Sequence, residues 1–257
     1  MAKTAHSLVS LALLVSSLFL FFFLGNKLSG ILVPSPGQLT SFLLDRHALY
    51  RVLSACLQTA GTVAASTILA LAWSLPIGIA LGLRMSLRNA TTTTVDFLRS
   101  IPPSALIPAA ILFLGTGRFM FLALTSFALG LILVVLSREA LSTLPPLKLR
   151  MMTAARWHLP RRAFCLYIPS VLSHLESSAQ ILVSLGMALV VVCEILIGRN
   201  GLGSEIRLAQ YRFQTPALYT NLLAAGVVGV LLNAIVRFLF TMIERFLYRP
   251  LRFSDEA

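Results

Sequence analysis

Apolar residues along this chain gather into six long runs, at residues 8–24, 57–83, 101–114, 119–136, 171–197 and 220–240. Short stretches that hold most of the charges separate them. A helix needs a run of about 20 apolar residues to cross a bilayer, so the pattern predicts an all-α membrane protein with about six transmembrane helices, the third short and broken. The first run follows a basic start at Lys3. It is longer than the apolar core of a signal peptide, and the GNKLSG that follows lacks a small-residue cleavage site, so it reads as a retained span. Between the first two runs, VPSPGQLTSFLLD predicts a turn at Pro34 and Pro36 and then a short interfacial helix. The four threonines at 91–94 make 89–96 too polar and β-branched for a membrane helix, and this stretch is assigned to a connection. The organisation that results is an N-terminal span at 1–32, a loop with its interfacial helix at 33–56, a core at 57–247 with a central loop at 138–169, and a tail at 248–257.

The polar residues inside the runs are the candidates for chemistry. In the third, Pro102, Pro103, Ser104 and Pro108 interrupt what would be a regular helix, and Gly115 and Gly117 close it. Broken backbone at membrane depth is tolerated where protein or a watery cavity satisfies it, so this helix either borders a translocation path or is proline-kinked against its neighbours. In the fifth, Glu176, Gln180, Ser184, Met187, Val191 and Glu194 fall within a sector of roughly 80° at helical spacing. Ionisable groups within spans face the bundle interior or water. The stripe therefore lines a path, or its two glutamates sit at the interfaces and pair with nearby arginines. In the second, Gln58, Thr59, Thr62 and Ser66 present small polar groups on one side, as helix glue or path lining. Asn233, Arg237, Thr241 and Glu244 step along the last run as an internal network.

The central stretch, 138–169, carries Arg138, Lys148, Arg150, Arg156, Arg161 and Arg162, with no acid between Glu139 and Glu176. Pro145 and Pro146 suit the first turn of one short helix, and a turn at His158 to Pro160 starts a second at Arg161. Two short helices beneath a membrane bundle make a docking site; a basic loop that only sets topology is the alternative.

Composition then excludes other classes. With 57% hydrophobic and 12% charged residues, the chain is far from a soluble domain. The net charge of +12 lies between the apolar runs without interleaved aromatics, which argues for topology over nucleic acid. Counting arginines and lysines, one side receives Lys3, Arg84, Arg88, Arg99, the central six, Arg245, Arg249 and Arg252, and both termini are predicted to be cytoplasmic. Cys56, Cys165 and Cys193 have no metal-site or disulfide spacing. No phosphate-binding loop, H-E-x-x-H or nucleophile motif occurs, so the chain is expected to be no enzyme, to bind no metal or cofactor, and to draw its energy from a partner or a gradient.

Four stretches together resemble a known family: VPSPGQL, LRSIPPSALIPAAILFLGTG, the central stretch ending at Pro169, and CEILIGRNGLGSEI. They are similar to the permease subunits of bacterial ATP-binding-cassette importers, in the branch that carries taurine, aliphatic sulfonates and nitrate. The resemblance implies the type I importer fold in the bacterial inner membrane. It also implies a second permease, identical or different, two cytoplasmic ATPases that bind ATP and Mg, and a periplasmic binding protein. It implies a small anionic solute such as a sulfonate, nitrate or a bicarbonate-like ion. The family's loop signature, E-A-A followed three residues later by Gly, is represented by Thr153, Ala154, Ala155 and Arg156, with Thr in place of Glu and Leu159 in place of Gly. On this resemblance Pro146, Met151, Met152, Thr153, Ala154, Ala155, Arg156, Trp157, Leu159, Arg161 and Phe164 form the coupling contact with the ATPase.

The resemblance also places Glu194, Gly201 and Gly203 at an outer gate beneath the binding protein. The glycines are expected to reverse the chain before a helix that starts near Ser204, with Glu194 paired to a backbone donor or to an arginine such as Arg199. Two other functions remain open to the residues: a carrier that couples protons through Glu176 and Glu194, and a membrane anchor whose basic loop recruits a soluble protein. No self-similar halves favour the carrier.

Overall fold

The computed structural model describes Ser16 and residues 33–145, 147, 154, 158–198 and 200–248. Except for Ser16, the first apolar run lies outside these residues. Among the described residues there are helices and no strands. In order they are α1 (Pro36–Leu44), α2 (Arg46–Leu83), α3 (Met85–Ser100), a 3₁₀ turn (Pro103–Leu106), α4 (Ile107–Leu114), α5 (Arg118–Ser142), α6 (Leu159–Arg162), a π turn (Ala163–Tyr167), α7 (Ile168–Ile197), α8 (Leu202–Tyr211) and α9 (Thr215–Tyr248). Among the described residues four stretches are long and apolar enough to cross a membrane: Arg46–Leu83, Arg118–Ser142, Cys165–Ile197 and Thr215–Ile243. A fifth crossing is possible if the bent pair Ser86–Ser100 and Pro103–Leu114, at 79° to each other, counts as one broken span.

The residues divide into two compact units. One holds Thr59–Cys193 with the chain from Val227 onward. Its centre is α5, where Leu129, Leu133, Ala140 and Leu141 pack with Ala70 of α2, with Val171, Leu175 and Leu182 of α7, and with Leu166 and Tyr167 of the π turn. Small residues let the helices approach, which matters between helices that bury apolar surface without much help from water. Gly78 and Gly82 lie one turn apart on α2, and a Cβ on either would meet Ser137 or Leu141 of α5 at 3.0 Å or less. Gly130 of α5 accommodates the ring of Trp73. The Trp73 indole N–H donates to Ser126 Oγ at 3.0 Å, which fixes the ring against that gap.

The other unit holds the residues up to Gln58 together with Glu194–Gly226. Here α1 starts with a capping box: Ser35 Oγ accepts the Gln38 N–H, and Gln38 Oε1 accepts the Ser35 N–H at 2.9 Å. Asp45 breaks the chain once and its carboxylate accepts the N–H of His47 at 3.0 Å, which opens α2.

Four boundaries differ from the sequence reading. The second span starts at Arg46, not at 57. Ala48, Val52, Ala55 and Thr59 are buried at helical spacing, while Leu49, Tyr50, Leu53 and Leu57 are exposed, so Arg46 and Arg51 had masked a helix. The stretch 89–96 is helical, within α3. Thr91 and Thr92 donate their hydroxyls to the carbonyls of Leu87 and Arg88 at 2.7 and 2.6 Å, and Arg138 of α5 donates to Thr92 Oγ1 at 2.9 Å. Tertiary anchoring thus outweighs weak propensity.

The fifth span does not begin at Val171, nor does a separate short helix start at Arg161. Helix continues from Leu159 through the π turn to Ile197. Pro169 would press its ring on the carbonyl four residues back in a regular helix, and the wider π turn just ahead of it accommodates this. Finally, Pro103 and Pro108 occupy the first turns of the 3₁₀ turn and of α4, where the missing N–H would have no partner in any case. They mark the helix starts that follow the 79° bend, so the prolines sit at the break expected in this run.

Candidate functional site

The tightest constellation of polar groups joins the end of α7 to the start of α8. Glu194 is 2% exposed. Its Oε2 accepts the N–H of Gly203 at 2.9 Å, one of the orphan donors at the N-terminus of α8, where a negative charge is favoured. The reverse connection is made by Arg207 of α8. Its guanidinium donates to the carbonyls of Ile195 and Leu196 at 3.1 and 2.8 Å, the orphan acceptors at the end of α7. Its charge also lies 5.3 Å from the centroid of the Tyr211 ring. Each helix therefore supplies the charged cap of the other.

The turn between them has to leave ordinary backbone space to close. Gly198 has φ +70° and Gly201 φ +115°, and Asn200 between them has φ 29°. A Cβ on Gly201 would fall on the Glu194 carboxylate, and one on Gly198 would come within 2.8 Å of Arg207 Nη1. Of the residues expected here, Glu194 finds a backbone donor and Gly201 supplies the unusual dihedral. Gly203 has no positive φ; it sits inside α8, which starts at Leu202, two residues ahead of Ser204, and contributes its N–H. Arg199 lies outside the described residues. Arg207 was not among the residues expected at this site. It lies on the helix after the turn, and spacing along one helix carried no signal for it.

The residues expected along a path separate into two places. Pro103 and Ser104 border a cleft of about 410 Å³, with Leu98, Ile101 and Leu106 beside them, Phe127 and Ile132 of α5, and Leu185, Ala188, Leu189 and Val192 of α7. Pro102 and Pro108 are exposed and outside that lining. The α7 face on this cleft is apolar, unlike the predicted stripe.

The stripe does not stay together. Glu176 and Gln180 line a second recess of about 360 Å³, with Ser173 and Ser177 of α7 and Val236, Arg237 and Phe240 of α9. Ser184 is exposed and donates to the Gln180 carbonyl at 2.9 Å, while Met187 is buried in the unit's interior. The stripe thus runs from an open polar recess into packed core because α7 meets different neighbours along its length. Thr59, Thr62 and Ser66 of α2 are buried, with Ser66 donating to the Thr62 carbonyl at 2.7 Å, whereas Gln58 is exposed.

Of the expected coupling residues, Pro146, Met151, Met152, Thr153, Ala155, Arg156 and Trp157 lie outside the described residues. Ala154 is helical and exposed, Leu159 and Arg161 belong to α6 with Arg161 exposed, and Phe164 falls in the π turn.

Comparison with known proteins adds the following. The model of a family described as binding-protein-dependent transport system inner membrane component matches residues 74–248. A probable ABC transporter permease protein of Brucella melitensis is 24% identical over 173 residues, covering 66% of this chain and 69% of its own. The taurine transport system permease protein TauC of Escherichia coli K12 is 26% identical over 188 residues, covering 71% of this chain and 63% of its own. Among solved structures, a chain of the MetNI methionine ABC transporter in inward-facing conformations superposes with a TM-score of 0.63 at 19% identity, over 79% of this chain and 99% of that one. That likeness concerns the fold.

Proposed function

The chain belongs to the binding-protein-dependent transport system inner membrane components and is the permease component of an ABC importer, and from that premise we propose that it forms the path for a small anionic solute. The family implies an ATPase partner, and the chain itself is a transport subunit, not an enzyme. The proton-coupled carrier and the passive anchor are thereby set aside.

Arg237, in a helix apolar enough to cross the membrane, carries the anionic reading. A charge within a span faces the bundle interior or water, and a guanidinium recognises sulfonate, nitrate and carboxylate oxygens in a planar fork. The name of the taurine permease relative points to the same class. In the proposed assembly two permeases, identical or different, face each other across the path, with two ATPases below and a binding protein above. Residues 146–164 touch the ATPase through their exposed helical positions, of which Ala154 is one. Glu194, Gly201 and Gly203 hold the outer gate, with Arg207 added to them. Both termini face the cytoplasm, on the side of the arginines at 138–162.

Purifying the native complex with its binding protein and identifying the retained ligand tests the solute class. A small anion or anion-bearing zwitterion is expected; a sugar or a simple cation would overturn it.

A further inference from the structure

We propose that the recess formed by Ser173, Glu176, Ser177 and Gln180 of α7 with Arg237 of α9 is a subsite for a short zwitterion, its acid group on Arg237 and its cationic end on Glu176. This rests on the permease reading above and narrows its solute class, because nitrate, bicarbonate and simple sulfonates have nothing for Glu176 to receive.

Three observations carry the inference. First, opposite charges share one recess without closing on each other: among the described residues Glu176 and Arg237 both line it, and they form no ion pair with each other. Both charges belong to helices long and apolar enough to cross a membrane. There a lone carboxylate or guanidinium is costly and is held where water, protein or a solute can meet it.

Second, the rest of the lining is what a small dipolar solute needs. Gln180 offers an amide donor and acceptor, and the hydroxyls of Ser173 and Ser177 can accept from an ammonium. The Ser177 hydroxyl donates to the His174 carbonyl at 3.0 Å, which leaves its oxygen as an acceptor. Ala179, Val236 and Phe240 form an apolar wall for a short methylene spacer.

Third, the size is suitable. About 360 Å³ lies at the small end of the range for small-molecule pockets. The neighbouring recess on α9, about 470 Å³ between Val230 and Thr241, also includes Arg237 and has no carboxylate among its described lining residues. On the α7 side the recess adds the Glu176 carboxylate to Arg237.

The test uses the assembled transporter in proteoliposomes, with Cys56, Cys165 and Cys193 replaced by Ser and Ser177→Cys as reporter. The rate of modification by a charged methanethiosulfonate is measured with 2-aminoethanesulfonate, ethanesulfonate or nitrate present. The zwitterion is expected to slow labelling, and ethanesulfonate to need about tenfold more for the same protection, since one charge-assisted contact is lost. Glu176→Gln and Arg237→Gln should each weaken zwitterion protection by about tenfold, with ATPase copurification retained and part of the protection recovered in Arg237→Lys.

Equal protection by ethanesulfonate, protection unchanged in Glu176→Gln, or a cysteine at 177 that no probe protects would each overturn the subsite. ATP-driven uptake by the same vesicles separates the two readings. Uptake that persists without protection removes the subsite alone, whereas loss of both in the unaltered transporter removes the permease reading as well.

Discussion

Glu194 and Gly203, nine residues apart, are joined by a 2.9 Å hydrogen bond in which the backbone N–H donates to a carboxylate that is 2% exposed. Its counterpart is the guanidinium of Arg207, which caps the carbonyls that end the same helix Glu194 stands on. Glu194→Ala should therefore lower the stability of the assembled permease by about 1.5–3 kcal/mol, the usual worth of a hydrogen bond to a charged group. The milder Glu194→Gln should keep assembly intact but raise ATP hydrolysis in the absence of binding protein. Calorimetry and a steady-state ATPase assay check the two expectations; unchanged coupling in Glu194→Gln would make this contact structural only.

Glycine substitutions should separate the turn from the helix interiors. Gly201→Ala must adopt φ +115° and place a methyl on the Glu194 carboxylate, so a loss of at least about 2 kcal/mol is expected. Gly226→Ala meets nothing within 4 Å inside α9 and should gain up to about 1 kcal/mol from helix propensity. Thermal unfolding of the two variants in one detergent should shift in opposite directions.

The gap at Gly130 is filled by Trp73, which makes that pair a packing test. Gly130→Ala should displace the indole and destabilise the unit, and Trp73→Leu in the same chain should recover part of the loss. Trp73→Phe alone leaves Ser126 without its donor and should cost about 1 kcal/mol. If the double variant is no better than Gly130→Ala, the helices do not approach as described.

The contact with the ATPase is addressed by Ala155→Asp, next to the exposed helical Ala154. A carboxylate in an apolar contact is costly to bury, so the ATPase should dissociate during purification. Normal copurification with normal transport would remove 146–164 from the interface.

Much of this architecture could be read in the apolar runs, because a span must be about 20 residues of near-continuous hydrophobicity. Where reading failed, a local rule lost to a neighbour. The threonine stretch fits a helix because the hydroxyls of Thr91 and Thr92 return to backbone carbonyls and Arg138 holds Thr92. Pro169 sits in one because a π turn precedes it. The buried spacing of Ala48, Val52 and Ala55 was present in the sequence but was hidden by two arginines. At the site, Glu194 and Gly201 were legible as an unusual acid and an unusual glycine. Arg207 and the meeting of Glu176 with Arg237 depend on which helices become neighbours, and spacing along one helix does not contain that information.

The most direct measurement is solute uptake into proteoliposomes that contain this permease, its binding protein and a partner ATPase whose catalytic carboxylate has been replaced by its amide. An importer permease predicts that uptake occurs with the unaltered ATPase and ATP, and stops with the inactive one even when a proton gradient is imposed. Uptake that continues with the inactive ATPase and follows the gradient would contradict the account.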